Sequence, residues 1–486
     1  MFFVSSWDTF SDLGGSYKQS CWFLLVKKIA ALIFCAAISK ERFIFFSHSL
    51  TKRLKFSSTL LTFSTKQMPL NQRFYSLDVF RGATVCLMIL VNNPGSWGHI
   101  YAPLEHAPWH GLTPTDLVFP FFLFAVGNAM AFVMPKLEAG GDKLFWKKII
   151  KRSAMIFLIG LFLNWWPFVT EVNRLVEGST EFHKETIFKG FTWIDLSKDK
   201  AGNIIETVKG VRILGVLQRI ALCYFFASII IYYLKPQKAF YAGLLLLLIY
   251  WMLCFVGNPS DPYSLKGWFG TDIDKMILGE SHMYKGEGVT FDPEGLMSTM
   301  SAIVQVIFGY LVGDYIQKKA RSVEQDFDFE KPASSGFGMH QMLNGLFVAG
   351  IAMLVTGFCW DMVFPINKKI WTSSYTIYTS GLATITIATM IYVIEIQHVR
   401  GWLAKFFNVF GKNALFVFAL SAFLPKGLAL IKMGDGVNPW NWLYREVLIK
   451  IPGAKENGSL AYALCVITFM WAICYWMDKK KIYIKV

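Results

Sequence analysis

The chain has 486 residues, 54% of them hydrophobic and only 17% charged, where soluble domains carry about a quarter charged residues. Its mean hydropathy of +0.41 and its apolar runs of about twenty residues exclude a soluble globular protein and define an all-α polytopic membrane protein. A formal charge of +15 would suit nucleic acid, but Lys and Arg gather in loops after alternate apolar runs. That pattern fixes orientation in a bilayer, so no nucleic-acid partner is expected.

In chain order, residues 1–67 hold one apolar run interrupted by Lys27 and Lys28, then a basic stretch rich in Ser and Phe. They are read as an N-terminal extension outside the fold, and residues 68–486 as the transmembrane domain. Hydropathy then predicts ten spans, roughly 76–93, 114–134, 149–169, 213–234, 239–256, 295–315, 341–363, 371–395, 404–424 and 458–477. The positives Lys143, Lys147, Lys148, Lys151 and Arg152, then Lys235 and Lys238, then Lys318, Lys319 and Arg321 fall on one side, with the Lys479–Lys481 tail. That side is expected to be cytoplasmic, with both ends of the ten-span unit there. The loop 94–113 has no Lys or Arg and is expected on the outer face. The eight cysteines sit in apolar runs without C-x-x-C spacing, so neither a disulfide framework nor a zinc site is implied.

The most informative stretch is residues 78–122. Asp78, Arg81 and Asn92 share one face of the first predicted helix, because eleven steps of about 100° return to within about 20°. A polar stripe on an apolar membrane helix is costly and marks a functional surface. The loop that follows, VNNPGSWGHIYAPLEHAPWHGLTPTD (residues 91–116), contains His99, His106 and His110. A metal site lacks helical spacing and a third ligand here, so no metal is expected. An imidazole near the membrane surface is suited to take a proton or carry an acyl group. Thr113-Pro114-Thr115-Asp116 begins the next helix as a capping box. Asp116 therefore has two readings, as a capping acid and as the group that orients a histidine. Pro120 leaves the carbonyl of Asp116 without its helical donor.

Other polar positions also carry two readings. Gln218 and Arg219, with Arg212 seven residues earlier, either pair with Asp116, Asp292 or Glu294, or grip a polar ligand. Asp292 and Glu294 are either helix-start acids or the recognition site of a cationic ligand. Lys151 and Arg152 either fix topology or help Arg81 to hold phosphates, for which the arginine fork is suited. Arg81 and Asn92 lie roughly 16 Å apart along the helix.

Together Ser76–Gly82 (SLDVFRG), Val91-Asn92, EHAPWHGLT at 105–113, DLVFP at 116–120, GVLQR at 215–219, MILG at 276–279, FDPEG at 291–295 and PINKKIWT at 365–372 resemble the heparan-α-glucosaminide N-acetyltransferase family and its bacterial relatives. One departure is the family's Trp-Asn-Gly, which is Trp109-His110-Gly111 here. The resemblance implies transfer of acetyl from acetyl-coenzyme A to the amino group of a terminal glucosamine, at a multi-pass protein of the cell (inner) membrane. It also implies His106 as the active-site residue with Asn92 beside it. The expected site is then His106, Asn92 and Asp116 for chemistry, and Arg81, Lys151 and Arg152 for the donor. Arg219, Gln218, Asp292, Glu294 and Trp109 are expected towards the sugar. Partners are the amino sugar or glycan end and the bilayer, with a homodimer left open. The alternatives are an acyltransferase for another envelope glycan and, in a different class, a transporter for sugars or anions.

Overall fold

The computed structural model describes residues 74–176, 181–198, 202–325, 334–433 and 437–484; the expected N-terminal extension lies outside them. Helix α1 (Tyr75–Asn92) opens the described chain and ends where Asn93 and Pro94 break the ladder. The histidine loop leads through a 3₁₀ turn, Pro114–Leu117, into α2 (Val118–Ala131), and α3 spans Gly141–Trp165. The segment between α3 and the next helix folds as two antiparallel hairpins, β1 (Val169–Leu175) with β2 (Phe182–Phe188) and β3 (Thr192–Lys198) with β4 (Ile204–Gly210). β1 registers Val172 against Glu185, and β3 registers Asp195 against Thr207. Asp195 joins the hairpins by accepting from the backbone N–H of Asn173 at 2.8 Å.

The remaining helices are α4 (Val216–Gly257), the short α5 (Gly270–Leu278), α6 (Leu296–Gln325), α7 (Ser334–Asp361), α8 (Ser373–Ile391), α9 (Trp402–Lys412), α10 (Ala414–Leu428) and α11 (Lys455–Lys479). Among the described residues seven helical segments are long and apolar enough to cross a membrane, and eight if the pair α9–α10, bent by 79°, is one span. That number takes Val216–Gly257 as one span, yet Lys235, at φ 62° and ψ 166° ahead of Pro236, leaves helical geometry and divides the stretch into two helices over the spans expected at 213–234 and 239–256. The span expected at 149–169 falls in α3, whose apolar part still carries Lys148, Lys151 and Arg152.

The helices pack as α1 on α9, α2 on α6, α3 on α4, α4 on α6 and α7 on α8. Without water to drive association, close backbone approach has to do it. Gly82 and Gly411 let α1 cross α9: a Cβ on Gly82 would stand 1.7 Å from the carbonyl oxygen of Phe407. Gly127 and Gly309 do the same between α2 and α6. A buried polar seam joins α6 to α8, where the hydroxyls of Ser301 and Thr376 meet at 2.7 Å and Thr379 donates to Gln305 Oε1 at 3.3 Å. This frame leaves a cavity at one end, between α1, the histidine loop, the start of α4 and the loops before α6 and α8.

Candidate active site

The histidine loop is shaped by Asp116, and both readings of that residue hold at once. Its Oδ2 accepts from the backbone N–H groups of Ala107 and Thr113, each at 3.1 Å, and from the Thr113 hydroxyl at 3.0 Å. The capping box is complete. Its Oδ1 lies 2.7 Å from His106 Nδ1. A carboxylate can only accept, so Nδ1 carries a proton, and in the neutral imidazole Nε2 holds the lone pair. The Asp116 carbonyl orphaned by Pro120 accepts from the Tyr375 hydroxyl at 2.6 Å, which ties α2 to α8 behind the site.

The loop before α8 closes the other wall. Gly111, at φ +106°, gives its N–H to the carbonyl of Ile366 at 2.8 Å. A side chain there would strain the turn. Lys368 Nζ lies 3.0 Å from His106 Nδ1, 3.2 Å from Nε2 and 3.5 Å from Asp116 Oδ1. Nearly equidistant from the two ring nitrogens, the amine lies over the face of the imidazole rather than on the in-plane lone pair of Nε2. Lys369 donates to the Pro108 carbonyl at 2.8 Å and pairs with Glu287 at 2.6 Å. Trp109 is fixed by its indole N–H on the Tyr263 carbonyl at 2.8 Å and by the Phe291 ring.

The cavity has a volume of about 280 Å³, and Asn92, His106, Trp109, Asp116, Arg219 and Glu294 all line it. Arg212, Glu287, Tyr284, Lys368 and Lys369 line it too, and these were not among the expected site residues. Arg212 was legible as a partner of Asp292 or Glu294, and Lys368 and Lys369 only as part of PINKKIWT; nothing in the sequence singled out Tyr284 or Glu287. Arg212 holds Asp292 through Nη2 at 2.6 Å and Nε at 3.1 Å, bonds Glu294, and stacks on Tyr284. Burial alone would push the Glu294 carboxyl up; the guanidinium of Arg212 overrides this and holds it below the ordinary glutamate range. Asp292 is fully buried behind Arg212 and is not a lining residue. Arg219 is buried, donates to the Gly295 carbonyl at 3.1 Å and to Ser298, and lies over the Trp371 ring.

The structure does not gather the other expected residues here. Gln218, one residue from Arg219 and so about 100° around the helix, is buried against Gly160 of α3. Arg81 lies on Asp78 at 3.1 Å and on the Gly411 carbonyl at 3.3 Å. Lys151 is exposed, and Arg152 lies over the Tyr224 ring of α4. The three loop histidines also part company. His99 lines a separate cleft of about 10 Å³, and His110 faces Asn367 Nδ2 at 3.4 Å, its imidazole held below the ordinary range by burial.

These features define a multi-pass helical membrane protein with a histidine–carboxylate pair set in a polar-walled cavity. No family model matches the chain. It is a distant relative of the heparan-α-glucosaminide N-acetyltransferases. The enzyme of that name from Mus musculus is 25% identical over a stretch covering 85% of this chain, and that from Homo sapiens is 24% identical over the same share. The chain spans about 60% of the length of each.

Proposed function

We propose that the protein is a ten-span membrane N-acetyltransferase. It moves acetyl from cytoplasmic acetyl-coenzyme A to the amino group of a glucosamine-type sugar at the outer face of the cell (inner) membrane. The observation that carries this reading is the 2.7 Å contact of His106 Nδ1 with buried Asp116, which turns Nε2 into a base facing a cavity shared with Asn92. The names of the distant relatives support the same chemistry.

In this reading His106 accepts the amine proton, either as general base or while carrying the acetyl group. Asn92 donates to the thioester oxygen, a role worth about 2.7–4 kcal/mol at comparable oxyanion sites. Asp116 holds the imidazole in the productive tautomer. Glu294 and Arg219 face the acceptor beside Trp109, with Asp292 acting through Arg212. The donor's phosphates belong to Arg81, with Lys151 and Arg152, at the far end of α1. Arg81→Ala is then expected to weaken donor binding about tenfold, the loss of one charge-assisted hydrogen bond. Unchanged donor affinity in that variant, measured by calorimetry, sinks the assignment.

The activity and its sidedness are tested together in sealed vesicles with the cytoplasmic face outward and free glucosamine trapped inside. Labelled acetyl-coenzyme A added outside should yield labelled N-acetylglucosamine inside. Product that forms only when both reactants share one compartment rejects the transmembrane arrangement. Escape of the trapped glucosamine from the vesicles without any acetylation favours the transporter reading instead.

A further inference from the structure

The base of the proposed reaction is oriented by one residue, Asp116, and Asp116 is itself held at two ends. Its carboxylate meets His106 Nδ1 at 2.7 Å and accepts from the Ala107 and Thr113 N–H groups at 3.1 Å each. Its carbonyl is the other end. In a helix that carbonyl would accept from the N–H four residues on, but position 120 is proline and has none. The Tyr375 hydroxyl donates to it instead, at 2.6 Å, from the first turn of α8. Asp116 is 1% exposed and Tyr375 0%, so bulk water cannot replace that donor.

The plain role for Tyr375 is to pack α8 against its neighbours. Its ring does that, edge-on to Trp371 with centroids 5.2 Å apart. The hydroxyl has a separate task. Without it a buried acceptor loses a strong partner, which is a costly state for a carbonyl away from water. The ready relief is a rotation of the turn Pro114–Leu117 that carries the carbonyl towards another donor. Carbonyl and carboxylate belong to one residue, so that rotation also draws Oδ1 off Nδ1 and lets the imidazole turn. A displacement of about 1 Å at a reacting group costs roughly a hundredfold in rate.

We propose that Tyr375 is a positioning residue for acetyl transfer: its hydroxyl fixes the backbone of Asp116 and, through the Asp116 carboxylate, the orientation of His106. This rests on reading the site as an acetyl-transfer centre with His106 as its base. α8 begins just after Lys368 and Lys369, which line the same cavity as His106. The bond therefore joins two walls of the cavity through the residue that orients the base. Pro120 removes the local donor, and Tyr375 supplies one from the opposite wall.

Tyr375→Phe is made in the full-length protein and assayed in detergent with acetyl-coenzyme A and glucosamine. The ring and its packing stay, so the protein should fold. Its kcat should fall about tenfold, less than a full 1 Å displacement would cost, with KM for both reactants little changed. Two further variants separate positioning from packing. Pro120→Ala restores a backbone N–H for the Asp116 carbonyl, so in that background Tyr375→Phe should recover most of the lost rate. In Asp116→Asn the hold on His106 is already broken, so adding Tyr375→Phe should slow transfer no further. Unchanged kcat in Tyr375→Phe overturns the proposal. So does a loss of the same size with and without Pro120, or one that multiplies with that of Asp116→Asn. Each of these leaves the reading of the site intact, because the native protein still acetylates glucosamine. A native protein that acetylates no glucosamine in this assay overturns both.

Discussion

His106→Ala is expected to lower the rate of acetyl transfer by roughly 10²–10⁴-fold, the usual contribution of a positioned acid–base group. The imidazole meets Asp116 on one side and is otherwise 46% exposed to the cavity, so its loss removes a base without removing packing. Thermal stability should change little, which separates a chemical role from a structural one. Asp116→Asn should also slow transfer, because an amide can donate to Nδ1 and then favours the wrong tautomer. That variant should additionally lose stability, since Oδ2 caps Thr113 and Ala107. His99→Ala serves as the control: the residue lines a separate small cleft and should retain most activity. Equal losses at His99 and His106 would falsify the single-base reading in favour of a structural histidine cluster.

Much of this site was legible because its signals are local. A capping box is four consecutive residues, so Thr113 and Asp116 announced the start of α2, and the structure has both reciprocal bonds. Pro120 announced an orphaned carbonyl at Asp116. What sequence could not supply was its partner, Tyr375, 259 positions away. The contact of Lys368 with His106 was hidden for the same reason: it spans 262 positions, and the motif PINKKIWT that contains the lysine says nothing of what it touches. The hairpins were missed because residues 169–210 mix charge and apolar groups on both faces. Exposed Phe188 and Val208 blur the alternation that signals a strand. The neighbours Gln218 and Arg219 read alike as intramembrane polar residues, yet face α3 and the cavity respectively. A helix turn of about 100° decides between them, and only the packing shows which face is which.

Arg212→Ala is expected to destabilise the folded protein by about 3–5 kcal/mol, the cost of breaking a buried ion pair from one side. Asp292 is fully buried and the Glu294 side chain 13% exposed, so both carboxylates lose their cation without gaining water. The pH dependence distinguishes this from a ligand-binding role. In the native protein Arg212 holds Glu294 below its ordinary range. A depressed carboxyl adds stability above its unfolded pKa of about 4.3, and that stability is lost as pH falls through the folded value. In Arg212→Ala burial acts on Glu294 unopposed by Arg212, so its carboxyl favours the protonated form. The variant should become more stable as pH falls from about 7 towards 5, and its deficit against the native protein should shrink. Adding Asp292→Asn and Glu294→Gln to Arg212→Ala should recover most of the melting temperature at neutral pH, because the uncompensated charges are gone. If instead Arg212→Ala melts like the native protein and only the acceptor's KM rises, Arg212 serves the sugar directly rather than the wall that faces it.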